Sequence, residues 1–225
     1  MSNQQPIGLL LSGGLDSSIL LGHLVRSGRV VQPFYIRGGL LWESAEFAAA
    51  QKFVATLSSS STAAVPLLRP LVELQVPVHD LYGPHWSTTG VGVPDLDSPD
   101  EAVFLPGRNP ILLVKAAVWC QLHGIEELAL APLASNPFGD ASEAFFDSFQ
   151  QAMSLAMSRP LRIVRPFLDH HKTDVMRLGY GLPLECTFSC IAPRGSLHCG
   201  KCNKCAERRA AFRDAGLSDP TTYAA

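Results

Sequence analysis

At 225 residues the chain can bury one full α/β core, or one core plus a small appendage. With 47% hydrophobic and 17% charged residues it is globular rather than disordered. A formal net charge of −2 argues against a broad nucleic-acid-binding face. No apolar run reaches membrane-spanning length, and Met1 to Pro6 lacks the basic and apolar regions of a signal peptide. The expected location is therefore the cytoplasm, without a membrane partner.

In chain order, Ile7 to Leu11 is a short apolar run ending in a Gly-rich turn, the pattern of a buried strand. Ile19, Leu20, Leu24 and Val25 predict a helix from Ser17 to Ser27, stopped by Gly28. Val30 to Ile36 reads as a strand, Glu43 to Leu57 as an Ala-rich helix, and Ala64 to Leu68 as a third strand. Residues 75 to 105 carry Gly, Pro and Asp with little periodicity and read as a long loop over the active site. Pro110 to His123 predicts a helix, Leu128 to Ala131 a strand, and Ala141 to Met157 a helix with Phe145, Phe149, Ala152 and Met153 on one face. The adjacent Phe145 and Phe146 suit either a core or an interface. Arg162 to Val164 reads as a strand and Lys172 to Leu178 as a short helix. Such alternation implies an α/β fold, a doubly wound parallel sheet covered by helices on both faces. A composition shift near Cys186 divides an α/β domain, 1–185, from a Cys-rich C-terminal segment, 186–225.

The first strand leads through Ser12-Gly13-Gly14-Leu15-Asp16-Ser17 into a helix. The glycines permit close backbone approach, and a helix N-terminus offers free N–H groups to an anion. Asp16 fits an anion site when a cation such as Mg²⁺ accompanies the anion. An ordinary helix N-cap is the competing reading. The Gly-Lys-Ser/Thr ending of a Walker loop is missing.

Cys190, Cys199, Cys202 and Cys205 follow the pattern C-x8-C-x2-C-x2-C. Four thiolates so spaced can close a tetrahedral Zn²⁺ shell, with Lys201 and Lys204 offsetting its charge; an iron–sulfur cluster is the rival. Cys120 and Cys186 read as buried thiols, Cys186 also as a spare ligand. In Gly107-Arg108-Asn109-Pro110, Asn109 suits an N-cap and Pro110 the first helical position. Arg108 is then either a surface residue or a donor fork for a phosphate. Asp140, just ahead of the helix predicted from Ala141, suits the cap of that helix. Lys172 reads as a solvated helix start, with a reach toward phosphate as the alternative.

Leu11-Ser12-Gly13-Gly14-Leu15-Asp16-Ser17-Ser18 resembles the pyrophosphate loop of the PP-loop ATP pyrophosphatases. With Gly107-Arg108-Asn109 and the stretch from Phe188 to Arg208, nearly the whole chain is similar to the 7-cyano-7-deazaguanine synthase family. The resemblance implies ATP bound by residues 11 to 18 and 107 to 109. It implies Asp16 and Arg108 as catalytic residues, Asp140 on the substrate, and structural Zn²⁺ on Cys190, Cys199, Cys202 and Cys205. The implied reaction adenylates the carboxylate of a deazaguanine with Mg²⁺-ATP and uses ammonia to form an amide and then a nitrile. AMP and pyrophosphate are released, and the chain is expected to pair as a homodimer. The stretch from Pro132 to Ser142 departs from the family pattern. That departure keeps three alternatives open: a defence-system relative that joins a deazaguanine to a protein amine, a tRNA-modifying PP-loop enzyme, and a non-catalytic nucleotide-binding zinc module.

Overall fold

A computed structural model describes residues 5–60 and 66–224. Five parallel strands form one sheet in the order β3-β2-β1-β4-β5: β1 (Ile7–Leu10), β2 (Val31–Arg37), β3 (Val72–Gln75), β4 (Glu127–Ala129) and β5 (Arg162–Val164). This is the doubly wound sheet expected from the alternation. Period-two alternation sends Ile7, Leu9 and Leu11 to one face, with Tyr35 of β2 and Ala129 of β4. Phe34, Leu128, Leu130 and Ile163 point to the other.

The first face is covered by α1 (Leu15–Arg26), α2 (Glu43–Ser60) and α7 (Lys172–Leu178), through Ile19, Leu20, Phe53, Val175 and Met176. The second is covered by α5 (Arg108–Leu122) and α6 (Glu143–Met157), through Leu113, Ala116, Ala117, Cys120 and Phe146. Each fully buried Phe or Leu contributes roughly 1.5–3 kcal/mol of hydrophobic stabilisation. Helix α5 lies close on β1, for a Cβ at Gly8 would sit 2.7 Å from Cys120 Sγ. Burial pushes that thiol up to about 12. Phe145, Phe149 and Met153 pack on this core and Phe146 is buried within it, so the Phe145-Phe146 pair is a core feature.

Two stretches differ from expectation. The third strand is Val72–Gln75, whereas Leu68 makes a single bridge to Val31 and Ala64 and Val65 lie outside the described residues. Residues 75 to 105 are not a plain loop. They hold α3 (His79–Tyr82), α4 (Trp86–Thr89) and a 3₁₀ turn over Asp100–Val103. Trp86 of α4 stacks on Trp42 at 5.8 Å. The segment then packs on the Cys-rich tail, where Asn203 donates from its backbone N–H to Pro94 O at 3.1 Å and from Nδ2 to Ser98 O at 2.7 Å.

The tail is bound into the rest of the chain. Its helix α8 (Asn203–Asp214) places Ala211 and Phe212 in the core beneath α1 and α7. Arg208 is 1% exposed and donates to Thr221 Oγ1 (2.6 Å), Thr187 Oγ1 (2.9 Å), Ser189 Oγ (3.2 Å) and Leu184 O (3.2 Å). No described helix is long and apolar enough to cross a membrane.

Candidate functional site

The C-terminal ends of β1 and β4 meet where the strand order reverses, the place where doubly wound sheets bind ligands. A cleft of about 340 Å³ opens there. Leu11, Ser12, Gly14, Leu15, Asp16 and Ser17 line its floor, with Leu130 and Ala131 after β4. The loop is held tight. Ser12 Oγ and Ser17 Oγ are 3.0 Å apart, Ser12 N–H donates to Ser17 Oγ at 3.2 Å, and Gly14 N–H reaches Ser12 Oγ at 3.3 Å. Gly13 has φ +82°, and a Cβ there would meet Glu46 O at 2.6 Å, so no larger residue fits without a backbone shift. Phe188 N–H donates to Gly13 O at 2.8 Å, tying the Cys-rich tail to the loop.

One wall of the cleft is a chain of four charges. Lys172 Nζ, at the start of α7, contacts both Asp16 oxygens at 2.8 Å and Glu207 at 3.6 Å. Lys204 Nζ contacts Glu207 at 2.5 Å. Burial alone would lower the Lys172 ammonium, but Asp16 and Glu207 outweigh it and hold it above its usual value. Burial likewise works to raise Glu207, and the two lysines overcome it and hold that carboxyl low. The helix start read as solvated is thus half-buried and inside the cleft.

The opposite wall is built from Tyr35, Trp42 and Glu46 with Arg108 and Leu112. Tyr35 Oη lies 2.8 Å from Glu46 Oε2 and 3.2 Å from Glu43 O. Burial pushes Glu46 up to about 7, against the opposing pull of Arg108 and the Tyr35 hydroxyl. The Nε of Arg108 is buried without a hydrogen-bond partner. A second cavity of about 30 Å³ shares Ile36, Trp42, Glu46, Arg108 and Leu112 with the main cleft.

Behind the tail-side wall, the sulfurs of Cys190, Cys199, Cys202 and Cys205 all lie within 4.8 Å of one another and all four residues are buried. Cys190 and Cys202 Sγ are 3.8 Å apart, Cys199 and Cys205 Sγ 3.9 Å. A tetrahedron of thiolates about 2.3 Å from a Zn²⁺ ion has edges of roughly 3.8 Å, so the four fit a closed metal shell. Backbone N–H groups of Cys199 and Ala192 point at Cys190 Sγ (3.2 and 3.4 Å), and that of Lys201 at Cys199 Sγ (3.4 Å). Hydrogen bonds from Cys190 and Cys205 hold the Cys202 thiol low, while the Cys190 thiol is raised by the same sharing. Burial pushes His198 down to about 4, so its neutral ring accepts the Ser189 N–H at 3.1 Å. Cys186 is buried elsewhere, its sulfur 3.7 Å from Thr56 Oγ1. Lys204 faces Glu207 and the cleft rather than the thiolates.

The sequence matches the family described as Queuosine biosynthesis protein QueC over residues 7–216. The chain belongs to that family. It is 31% identical over 231 residues to the 7-cyano-7-deazaguanine synthase of Methanothrix thermoacetophila, covering 95% of this chain and 96% of that one. It is also 31% identical over 226 residues to 7-cyano-7-deazaguanine synthase 1 of Mesorhizobium japonicum, covering 96% and 92%. The synthase of Anaeromyxobacter dehalogenans is 29% identical over 231 residues, covering 96% and 94%.

In this QueC-family chain the predicted residues separate into two groups. Leu11, Ser12, Gly14, Leu15, Asp16, Ser17, Arg108 and Asn109 line the cleft. Gly13, Ser18, Gly107 and Asp140 stand behind it. Ser18 is fully buried with no partner for its hydroxyl. Gly107, in the left-handed region, is the N-cap of α5, and the helix begins at Arg108, so Asn109 is not the cap and Pro110 is not the first helical residue. Asp140 neither lines the cleft nor caps α6, whose cap is Ser142. Its Oδ2 accepts the Asn109 N–H at 3.0 Å, and its carbonyl accepts Asn109 Nδ2 at 2.9 Å, so it steadies the first turn of α5. The segment 75–105 contributes no lining residue to the main cleft. Sequence reasoning missed Tyr35, Glu46, Lys204, Glu207 and Arg208 as cleft residues. Their approach to the cleft is set by the packing of α2 and α8 on the sheet, which no local pattern in the sequence carries.

Proposed function

We propose that the chain is an ATP-dependent carbon–nitrogen ligase acting on 7-carboxy-7-deazaguanine; the name of its relatives, 7-cyano-7-deazaguanine synthase, supports the product of this reaction. The observation that carries this reading is the junction, at the sheet's switch point, of a tight glycine loop, two lysines and an unsaturated arginine. The amides of the loop and the first turn of α1 hold the β- and γ-phosphates, with Ser12 and Ser17 donating to their oxygens. The substrate carboxylate oxygen attacks the α-phosphorus and pyrophosphate leaves, giving an acyl adenylate. Lys172 and Lys204 offset the charge that grows on the departing group. Ammonia then attacks the acyl carbon. AMP leaves, one proton is released and the amide remains. A second ATP adenylates the amide oxygen with loss of pyrophosphate and a proton, and departure of AMP with a further proton leaves the nitrile.

Mg²⁺ arriving with the triphosphate would supply charge neutralisation, and Asp16 is the carboxylate that would reach it after releasing Lys172. Zn²⁺ held by the four cysteines would be structural, since four thiolates would leave its shell no open position. Incubation with ATP, ammonium and 7-carboxy-7-deazaguanine should yield AMP, pyrophosphate and the nitrile by mass spectrometry. Absence of substrate-dependent AMP would overturn the assignment.

A further inference from the structure

We propose that Glu46, with Arg108 beside it, reads the N1–H, 2-amino and carbonyl edge of the deazaguanine ring. The inference rests on the deazaguanine reading above and assigns the ring a place within the cleft. Three carboxylates of the described residues line that cleft: Asp16, Glu46 and Glu207. Asp16 and Glu207 are already matched by Lys172 and Lys204. Asp140, the residue the sequence singles out for this task, is occupied with Asn109 outside the cleft. Glu46 has no lysine partner. Its Oε2 takes one neutral hydroxyl from Tyr35, and a carboxylate has room for about four donors.

Position favours the same residue. The Glu46 backbone packs against Gly13, so its side chain stands at the wall adjoining the phosphate loop. Trp42, one turn earlier, and Phe188 from the tail give the cleft apolar sides suited to a planar ring. Arg108 carries a buried Nε–H without an acceptor. Acceptors on Glu46 and a donor on Arg108 complement two N–H donors next to a carbonyl. The groups that face Glu46 are Tyr35 from β2, Glu43 from α2 and Arg108 from α5. Burial leaves its carboxyl near 7, the state of a group short of donors, and two ring N–H groups would supply them.

The test uses the zinc-loaded full chain and tryptophan fluorescence, titrated without ATP with 7-carboxy-7-deazaguanine and with its analogue lacking the 2-amino group. Wild type should prefer the ring that carries the 2-amino group by about 30-fold, the worth of one hydrogen bond to a charged group. Its affinity should weaken as pH falls through about 7, where Glu46 gains a proton and loses an acceptor site. Glu46→Gln should lose most of the discrimination while ATP binding is unchanged. Tyr35→Phe removes a hydrogen bond that lowers Glu46, so the pH midpoint should move upward with discrimination restored at high pH. Equal affinity for both rings in wild type, no binding of either, or full discrimination in Glu46→Gln overturns the proposal. Discrimination without AMP release would sink the ligase reading and leave Glu46 standing. AMP release with equal use of both rings would do the reverse.

Discussion

The two walls of the cleft are built on opposite electrostatic plans. On the tail side, Asp16, Lys172, Glu207 and Lys204 form a closed chain in which each charge has an opposite neighbour. On the α2 side, Glu46 carries only a tyrosine hydroxyl and Arg108 keeps an unpaired Nε. The first wall can exchange partners with little cost, because an incoming phosphate replaces one anion by another on the same lysines. The second wall is a standing deficit of hydrogen bonds that a ligand would fill. The difference teaches that self-matched charges suit a transient polyanion, whereas unmatched polar groups suit recognition of one defined edge.

The largest effect should come from removing the base on which both walls rest. Cys202→Ser should lose the bound metal by elemental analysis. Loss of a structural metal costs at least several kcal/mol, which at about 2–4 °C per kcal/mol for this size is a melting-temperature drop of roughly 10 °C or more. Because Phe188 ties the tail to Gly13, nucleotide binding should fall in the same variant. Retained metal and an unchanged melting temperature would break the link between tail and cleft.

Next in size, Lys172→Ala should cut the rate of AMP release by about 10²–10³-fold, the usual cost of one preorganised charge at a reacting group. Binding of the heterocycle should barely change. A drop confined to ring binding would erase the contrast between the walls.

A smaller effect concerns stability against pH. The folded Glu46 carboxyl is raised to about 7 from an ordinary 4.5, so the folded state binds more protons than the unfolded chain between those values. Stability from this group is complete below about 4.5, declines as pH rises toward 7, and stays low above it. Glu46→Gln should flatten that decline in thermal melts from pH 4.5 to 7.5. An unchanged slope would place the deficit elsewhere.

The smallest effect belongs to Cys186→Ala. Its sulfur lies outside the four-thiol cluster, so metal content should be unchanged. Loss of one buried sulfur costs about 1 kcal/mol, or roughly 2–4 °C. Loss of metal in this variant would add a fifth ligand.

Much of the fold was legible. β1 and β5, α7 and the long helices follow from local signals: a short apolar run for β1, apolar positions on one face of α1 and α6, and the Ala-rich composition of α2. Val72–Gln75 was not, because it is a four-residue edge strand with alternating polar side chains. Helix α8 escaped for a related reason: one of its inward residues is Arg208, buried by its hydrogen bonds rather than by apolar character.

By itself the sequence determined the doubly wound sheet, the glycine loop at the end of its first strand, and the spacing that brings four cysteines together. These are local, set by backbone freedom, side-chain period and short tethers. Only the tertiary structure decided that Lys172 meets Asp16 across 156 positions, that Glu46 rather than Asp140 faces the cleft, and that the tail underpins the loop. Such meetings depend on how sheet and helices pack, and no short window of residues contains that information.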